Sequence, residues 1–290
     1  MEGFLHQIFS GLATGGIYAS IGLALVMIYS ATHHINFAQG EMAMFSTFIA
    51  WSMIQAGLPY WLAFFATLAV SFGVGVGIER LVIRPFAKAP VLTTVIIFIA
   101  LLVILNSVAG LIFGHTVKSF PAPFPDDSFF SNKYLTPRDF GAILVTLVVL
   151  VLLYAFFRFT PLGLAMRAAA QNPESSRLVG IRVGWMLALG WGLAAAVGAV
   201  AGMLIAPIVY LDPNMMIGIL LYGFASALLG GIDNPWGAVV GGFIVGILEN
   251  LLGAYVIGTE LKLSVALVLI VTVLLVRPSG LFGRRIVTRV

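Results

Sequence analysis

The sequence predicts an all-α protein, a polytopic transmembrane bundle of about eight to ten spanning or half-spanning helices. Of its 290 residues, 61% are hydrophobic and only 9% are charged, and the mean hydropathy is +1.09. Soluble domains carry about 25% charged residues, so this composition excludes a soluble enzyme, a nucleic-acid-binding protein and a disordered chain. The apolar stretches do not alternate with polar residues, which argues against a transmembrane β-barrel.

Nine apolar blocks follow one another with short connectors. They lie near residues 8–30, 36–56, 60–83, 91–113, 140–158, 185–211, 216–232, 236–257 and 262–276. Backbone polar groups in hydrocarbon must be paired within their own segment, so each block is expected to be helical. Blocks 36–56 and 216–232 each follow a polar break. We therefore count each of them as either a full span or a half-helix. Little chain remains outside these blocks, so residues 1–290 are expected to form a single transmembrane domain.

The two polar breaks are alike in form. One runs from Tyr29 to Glu41, and the other runs from Tyr210 to Asn214, where Asp212 and Pro213 predict a turn. Transporters build midplane sites from interrupted helices at corresponding places in two halves of the chain. An inverted repeat is therefore one hypothesis.

Basic residues set the expected orientation, because cytoplasmic connectors of membrane proteins are rich in Lys and Arg. We place the connectors near 84–90 and 159–184 and the C-terminal tail in the cytoplasm. Eleven of the fifteen Lys and Arg residues then lie on the cytoplasmic side: Arg80, Arg84, Lys88, Arg158, Arg167, Arg177, Arg182, Arg277, Arg284, Arg285 and Arg289. Only Lys118, Lys133, Arg138 and Lys262 remain outside. We expect an outer N-terminus and a cytoplasmic C-terminus.

Polar residues in the first break are the candidates for a translocation path. Asn36, Gln39 and Glu41 lie there, and an ionisable group in a membrane segment is by default a functional hypothesis. The alternative is that Glu41 is structural and caps the helix after the break. Glu249, beside Asn250, is expected to make a structural contact between helices. Glu79 and Arg80 predict a local ion pair or an interface anchor.

The sequence contains no recognisable catalytic constellation. Cys is absent, none of the four Lys residues follows Gly, and there is no zinc-helix motif, so neither a P-loop nor a metal site is expected. We therefore expect no catalytic residue, no metal and no cofactor in this chain. If transport is driven by ATP, the ATPase must be another subunit. Five small-residue pairs at four-residue spacing predict tight helix packing: Gly11/Gly15, Gly73/Gly77, Gly198/Gly202, Gly237/Gly241 and Gly242/Gly246.

The connector 159–184 predicts a short capped helix. Asn172 suits the N-cap and Pro173 the first helical position. Glu174 and Arg177 complement the helix dipole, and Gly180 suits the stop. So short a helix needs a packing partner to persist. It is either an ordinary connector resting on its own bundle or a coupling helix that inserts into a partner subunit.

In this connector the chain resembles a known family. The segment Thr160-Pro161-Leu162-Gly163, with Arg167, Asn172-Pro173 and Gly180-Ile181, is similar to the cytoplasmic loop of branched-chain amino acid ABC transporter permeases of the LivH type. Further matching segments begin at Gly11, Asn36, Leu229 and Arg277. Gln39 and the stretch 233–236 depart from the family pattern.

The resemblance implies a multi-pass permease subunit in the bacterial inner membrane. It implies a second homologous permease, two cytoplasmic ATPase subunits that bind ATP and Mg²⁺, and an external solute-binding protein, with no nucleic-acid partner. Branched-chain amino acids are the implied cargo, and related systems carry other amino acids, amides or urea. The ATPases would act on Arg167, Asn172, Pro173, Glu174, Arg177 and Gly180. The alternative is an ion-coupled secondary transporter; a membrane enzyme or a channel has less support.

Overall fold

The computed structural model describes residues 2–87, 89–124 and 136–283. Their helices, numbered in chain order, are α1 (Glu2–Thr32), α2 (Gln39–Gln55), α3 (Tyr60–Ile78), α4 (Val91–Phe113), α5 (Pro137–Phe159), α6 (Pro161–Gln171), α7 (Pro173–Leu178), α8 (Val183–Val209), α9 (Met216–Gly230), α10 (Pro235–Leu252) and α11 (Lys262–Val276). π-helical turns extend α3 over Glu79–Ile83 and α10 over Gly253–Ile257. Lys88, Lys133, Arg284, Arg285 and Arg289 lie outside the described residues.

The helices match the predicted apolar blocks. Among the described residues, seven helical segments are long and apolar enough to cross a membrane. α2 and α9 have only 17 and 15 residues, and they are the two blocks for which a half-helix was an expected alternative. The polytopic all-α prediction is therefore confirmed. α1 begins at Glu2, ahead of its predicted block.

The helix contacts repeat between the two halves of the chain. α1 packs along α10, and α8 packs along α3 in the same way. α9 contacts α1, α10 and α11, as α2 contacts α8, α3 and α4. Exchanging α1–α4 for α8–α11 leaves these pairings unchanged, which agrees with the hypothesis of an internal repeat.

Glycines let α1 and α10 approach each other closely. A Cβ atom on Gly15 would lie 2.9 Å from the Cα atom of Phe243, and one on Gly11 would lie 2.8 Å from the Cα atom of Ile247. In lipid, such close backbone packing replaces the hydrophobic effect as the force between helices. Gly73 and Gly77 are an exception among the predicted pairs, because both meet open space.

A buried polar network ties α1, α10 and α11 together. The Tyr18 hydroxyl donates to Glu249 Oε2 at 2.8 Å, and Lys262 Nζ lies 3.9 Å from Glu249 Oε1. Lys262 also donates to Asn250 Oδ1 at 2.7 Å, and Asn250 Nδ2 donates to Thr14 Oγ1 at 3.2 Å. Glu249 thus makes the interhelical contact that the sequence predicted.

Candidate functional site

The first polar break turns the chain between α1 and α2. His33 follows the last residue of α1 and has φ 55°, a backbone region that non-glycine residues seldom occupy. The side-chain oxygen Oδ1 of Asn36 then accepts a hydrogen bond from the Ala38 N–H at 3.0 Å. Such an Asx turn stabilises a reversal locally, and α2 begins at Gln39.

The second break has the same two structural features. Tyr210 follows the last residue of α8 with φ 65°, and Asp212 Oδ1 accepts a hydrogen bond from the Asn214 N–H at 2.7 Å. α9 then begins at Met216. The turn predicted at Asp212 and Pro213 is therefore confirmed. Like the first break, the second has a residue with positive φ followed by an Asx turn.

The two breaks meet in the interior of the bundle. A Cβ atom on Gly40 would lie 3.3 Å from the Met216 Cβ atom and 3.4 Å from the Leu220 Cβ atom. The first turn of α2 therefore packs directly on the first turns of α9. We call the segments 33–41 and 210–216 together the junction.

One side of the junction is held by α8. Asn36 Nδ2 donates to Gln39 Oε1 at 3.3 Å, and Gln39 Nε2 donates to the Ala194 carbonyl oxygen at 3.1 Å. Both side chains are fully buried, where an unpaired amide would cost free energy. Two of the three predicted path residues thus form one hydrogen-bonded group that joins α2 to the middle of α8.

Glu41 belongs to the other side of the junction. Asn106 of α4 donates from Nδ2 to Glu41 Oε2 at 3.3 Å, and it also reaches the Pro213 carbonyl oxygen at 2.8 Å and Asn214 Oδ1 at 3.3 Å. The structure thus brings Asn36, Gln39 and Glu41 into the same junction but in two separate hydrogen-bonded groups. The sequence analysis missed Asn106, although an Asn within the apolar run of α4 was a usable signal.

The connector between α5 and α8 contains two capped helices. Thr160 Oγ1 accepts from the Gly163 N–H at 3.0 Å and starts α6. Asn172 Oδ1 accepts from the Ser175 N–H at 3.0 Å and starts α7. Gly180 follows with φ 84°. The short helix predicted from Asn172 to Gly180 is confirmed, whereas α6 was not foreseen.

The candidate coupling residues of the connector are exposed. Arg167 is exposed on α6, and Pro173, Glu174 and Arg177 are exposed on α7. Leu178 and Val179 at the end of α7 are 88% and 76% exposed. An exposed apolar tip of this kind is typical of a surface that another protein or a membrane covers.

An ionic clamp fastens the end of the connector to α3. The Arg84 guanidinium binds both oxygens of Glu79, with Nη2 at 2.8 Å from Oε2 and Nε at 3.2 Å from Oε1. Arg84 also donates to the carbonyl oxygen of Gly184 in the first turn of α8. Beside it, the Arg80 guanidinium lies 3.3 Å from the ring centroid of Trp185. The ion pair predicted between Glu79 and Arg80 forms instead between Glu79 and Arg84.

Within residues 2–87, 89–124 and 136–283, no group of three or more His, Asp or Glu side chains lies together in an arrangement that could hold a metal ion. The expectation that this chain needs no cofactor of its own stays a prediction.

Comparison with known proteins finds similarity along nearly the whole chain. Residues 7–274 match the family model described as the branched-chain amino acid transport system permease component. The chain is 32% identical to the high-affinity branched-chain amino acid transport system permease protein LivH of Escherichia coli (strain K12), over 99% of this chain and 98% of LivH. It is equally similar to BraD, the corresponding permease protein of Pseudomonas aeruginosa. A probable LivH of Methanocaldococcus jannaschii is 30% identical over 91% of this chain and 87% of that protein.

Proposed function

Because this chain belongs to the branched-chain amino acid transport system permease family, we propose that it is a transmembrane permease subunit of an ATP-driven importer for leucine, isoleucine and valine. The observation that carries the proposal is the 32% identity to LivH over 99% of the chain. The alternative, an ion-coupled secondary transporter, is not favoured by relatives that are permease subunits of this kind.

The junction supports transport by alternating access. Two short helices start there against each other, and the side chains of Asn36, Gln39 and Glu41 are buried in it. In transporters, substrate sites form where such interrupted helices meet. We propose that these three side chains border the translocation path when α2 and α9 separate, with Glu41 gating the side held by Asn106.

The connector supports coupling to a separate ATPase. We propose that α7, with its capping residues Asn172 and Gly180, inserts into a groove of a cytoplasmic ATPase subunit, which would cover the exposed Leu178 and Val179. The clamp from Arg84 to Gly184 would then pass the movement of the connector to α3 and α8 together.

We also propose that the chain works in an assembly of several different subunits. The transporter would contain a second homologous permease, two ATPases that bind ATP and Mg²⁺, and an external solute-binding protein that supplies most of the affinity. This chain would act as one transmembrane domain, multi-pass in the bacterial inner membrane with a cytoplasmic C-terminus, and would itself hold neither ATP nor a catalytic site.

Reconstitution of the whole transporter tests the proposal. The chain is co-purified with its partner subunits, incorporated into proteoliposomes and supplied with radiolabelled leucine and the binding protein. We expect uptake that needs ATP, stops with a hydrolysis-deficient ATPase subunit and continues in the presence of an ionophore. Uptake that persists without the ATPases and is abolished by the ionophore would refute the proposal.

A further inference from the structure

A cavity of about 660 Å³ opens between α1, α5, α6, α8 and the start of α10. Its interior is apolar, with Leu153 and Phe157 from α5, Met166 from α6 and Leu187 from α8 among the lining residues. It lies on the side of the bundle that carries the connector, and none of the predicted path residues lines it. His33 is the one junction residue among its lining residues, so the cavity adjoins the junction but lies apart from the hydrogen bonds of Asn36, Gln39 and Glu41.

The polar part of the cavity carries two unpaired cations. Arg158 in the last turn of α5 and Arg167 on α6 both line it, and neither forms an ion pair or hydrogen bond within the described part of the chain. Asp233 and His33 also line the cavity. Two arginines and one aspartate leave a net positive charge at its mouth, and an anion can bind there without displacing an internal partner.

The rim of the cavity has the composition of a membrane interface. Tyr154 and Trp236 pack edge to face with ring centroids 4.9 Å apart, and they are 43% and 49% exposed. Tyr and Trp concentrate where membrane meets water. The cavity thus combines an apolar interior, an aromatic rim and two free arginines.

We propose that this cavity binds one anionic phospholipid, with the headgroup phosphate at Arg158 and Arg167 and an acyl chain along the apolar wall. Basic pockets between transmembrane helices on the cytoplasmic side bind anionic lipid headgroups. The volume lies within the range of pockets for small molecules, about 300–1,000 Å³. A free phosphate would leave the apolar interior unfilled, and a zwitterionic lipid such as phosphatidylcholine would bring its own positive charge close to the two arginines.

A lipid in this cavity would also hold the connector against the bundle. A lipid held by Arg158 and Arg167 would bridge α5 and α6. Gly163 already lets α6 fold back onto the end of α5, since a Cβ atom there would overlap Phe156 and Phe157. The lipid therefore completes the packing of α6 against the bundle. The lipid site is independent of the solute that the transporter carries.

Native mass spectrometry of the detergent-solubilised transporter complex tests the site, with phosphatidylglycerol as the probe and phosphatidylcholine as the neutral comparison. We expect one phosphatidylglycerol bound per copy of this chain. The double variant R158Q/R167Q should weaken retention by about fivefold for each arginine removed. R277Q removes an exposed cation outside the cavity and should leave retention unchanged.

A second variant tests the apolar part of the cavity. At Gly190, which lines it, a Cβ atom would meet only Met166 Cε at 3.8 Å, so Gly190→Leu fills space without a backbone clash and should displace the lipid. Equal retention in the wild type and R158Q/R167Q would overturn the proposal. So would equal retention of phosphatidylcholine, or displacement of the lipid by excess inorganic phosphate, which would indicate a site for the free ion.

Discussion

The side-chain amide of Asn106 donates a hydrogen bond to Glu41 Oε2 at 3.3 Å. The same Nδ2 atom lies 2.8 Å from the carbonyl oxygen of Pro213. α4 therefore connects the first turn of α2 to the break before α9. Any movement that separates α2 from α9 must break one of these contacts.

We predict that Glu41→Gln reduces leucine uptake more than it reduces assembly. Gln keeps an acceptor oxygen for Asn106 but replaces the carboxyl group that we propose gates this side of the path, so we expect the rate of uptake to fall by about tenfold, the equivalent of about 1.4 kcal/mol. Uptake in proteoliposomes and the yield of co-purified subunits measure the two effects. Glu260→Gln, an exposed carboxylate just before α11, is the control. Wild-type uptake kinetics in Glu41→Gln would instead indicate a purely structural role.

We predict that Gly180→Val separates ATP hydrolysis from transport. Gly180 has φ 84°, and forcing a non-glycine residue into such a conformation costs about 1–3 kcal/mol. The end of α7 should therefore shift. The measurement is uptake per ATP hydrolysed in the presence of binding protein.

Gly57→Val provides a matched control for this variant. Gly57 has φ 94° and, like Gly180, would place a Cβ atom in open space, but it lies between α2 and α3. It should suffer the same backbone strain and keep its uptake per ATP. If both variants keep the wild-type ratio, α7 is an ordinary connector.

We predict that Gly242→Leu destabilises the bundle. A side chain there would overlap the Ala19 backbone on α1, and overpacking typically costs about 1–3 kcal/mol. The thermal unfolding temperature of the purified protein should fall, and expression should fall with it. Gly77→Leu is the comparison, because a Cβ atom at Gly77 meets nothing within 4 Å. An equal loss in both variants would contradict this account of α1 and α10.

We predict that Tyr18→Phe lowers stability without blocking assembly. It removes the hydroxyl that donates to Glu249 at 2.8 Å, and a buried hydrogen bond to a charged group is worth about 1.5–3 kcal/mol. Denaturation of the purified protein measures the loss. Tyr255→Phe changes a 59% exposed ring and should be neutral. No difference between the two would mean that Tyr222 and Lys262 satisfy Glu249 without Tyr18.

Hydropathy predicted the helices well because lipid imposes a length and forbids unpaired backbone groups. The two polar breaks also stood out, since a break in an apolar run is visible in the sequence alone. Helix partners were harder to predict. In lipid both faces of a helix can be apolar, so no periodic pattern marks the face of α1 that packs on α10. Asn36 and Gln39 share a hydrogen bond within the predicted break, but their anchor is the main-chain oxygen of Ala194, which side-chain patterns do not reveal.

The ion pair at the end of α3 shows a second limit. Their adjacency in the sequence suggested an ion pair between Glu79 and Arg80. The chain instead forms a π-helical turn over Glu79–Ile83, in which the Arg84 N–H donates to the Glu79 carbonyl oxygen. A π-helix brings residues i and i+5 together, so Glu79 meets Arg84 and leaves Arg80 free to stack on Trp185. Such a local change of helix type depends on tertiary packing and has no simple sequence signature.

The Arg84 contact with α8 ends on the carbonyl oxygen of Gly184, and every amino acid carries that oxygen. Mutation of codon 184 can crowd the guanidinium but can never delete its acceptor. In a random genetic screen for transporters that waste ATP, we therefore expect missense alleles that abolish this attachment to accumulate at codons 79 and 84. Only the side chains encoded at these two positions take part in the attachment.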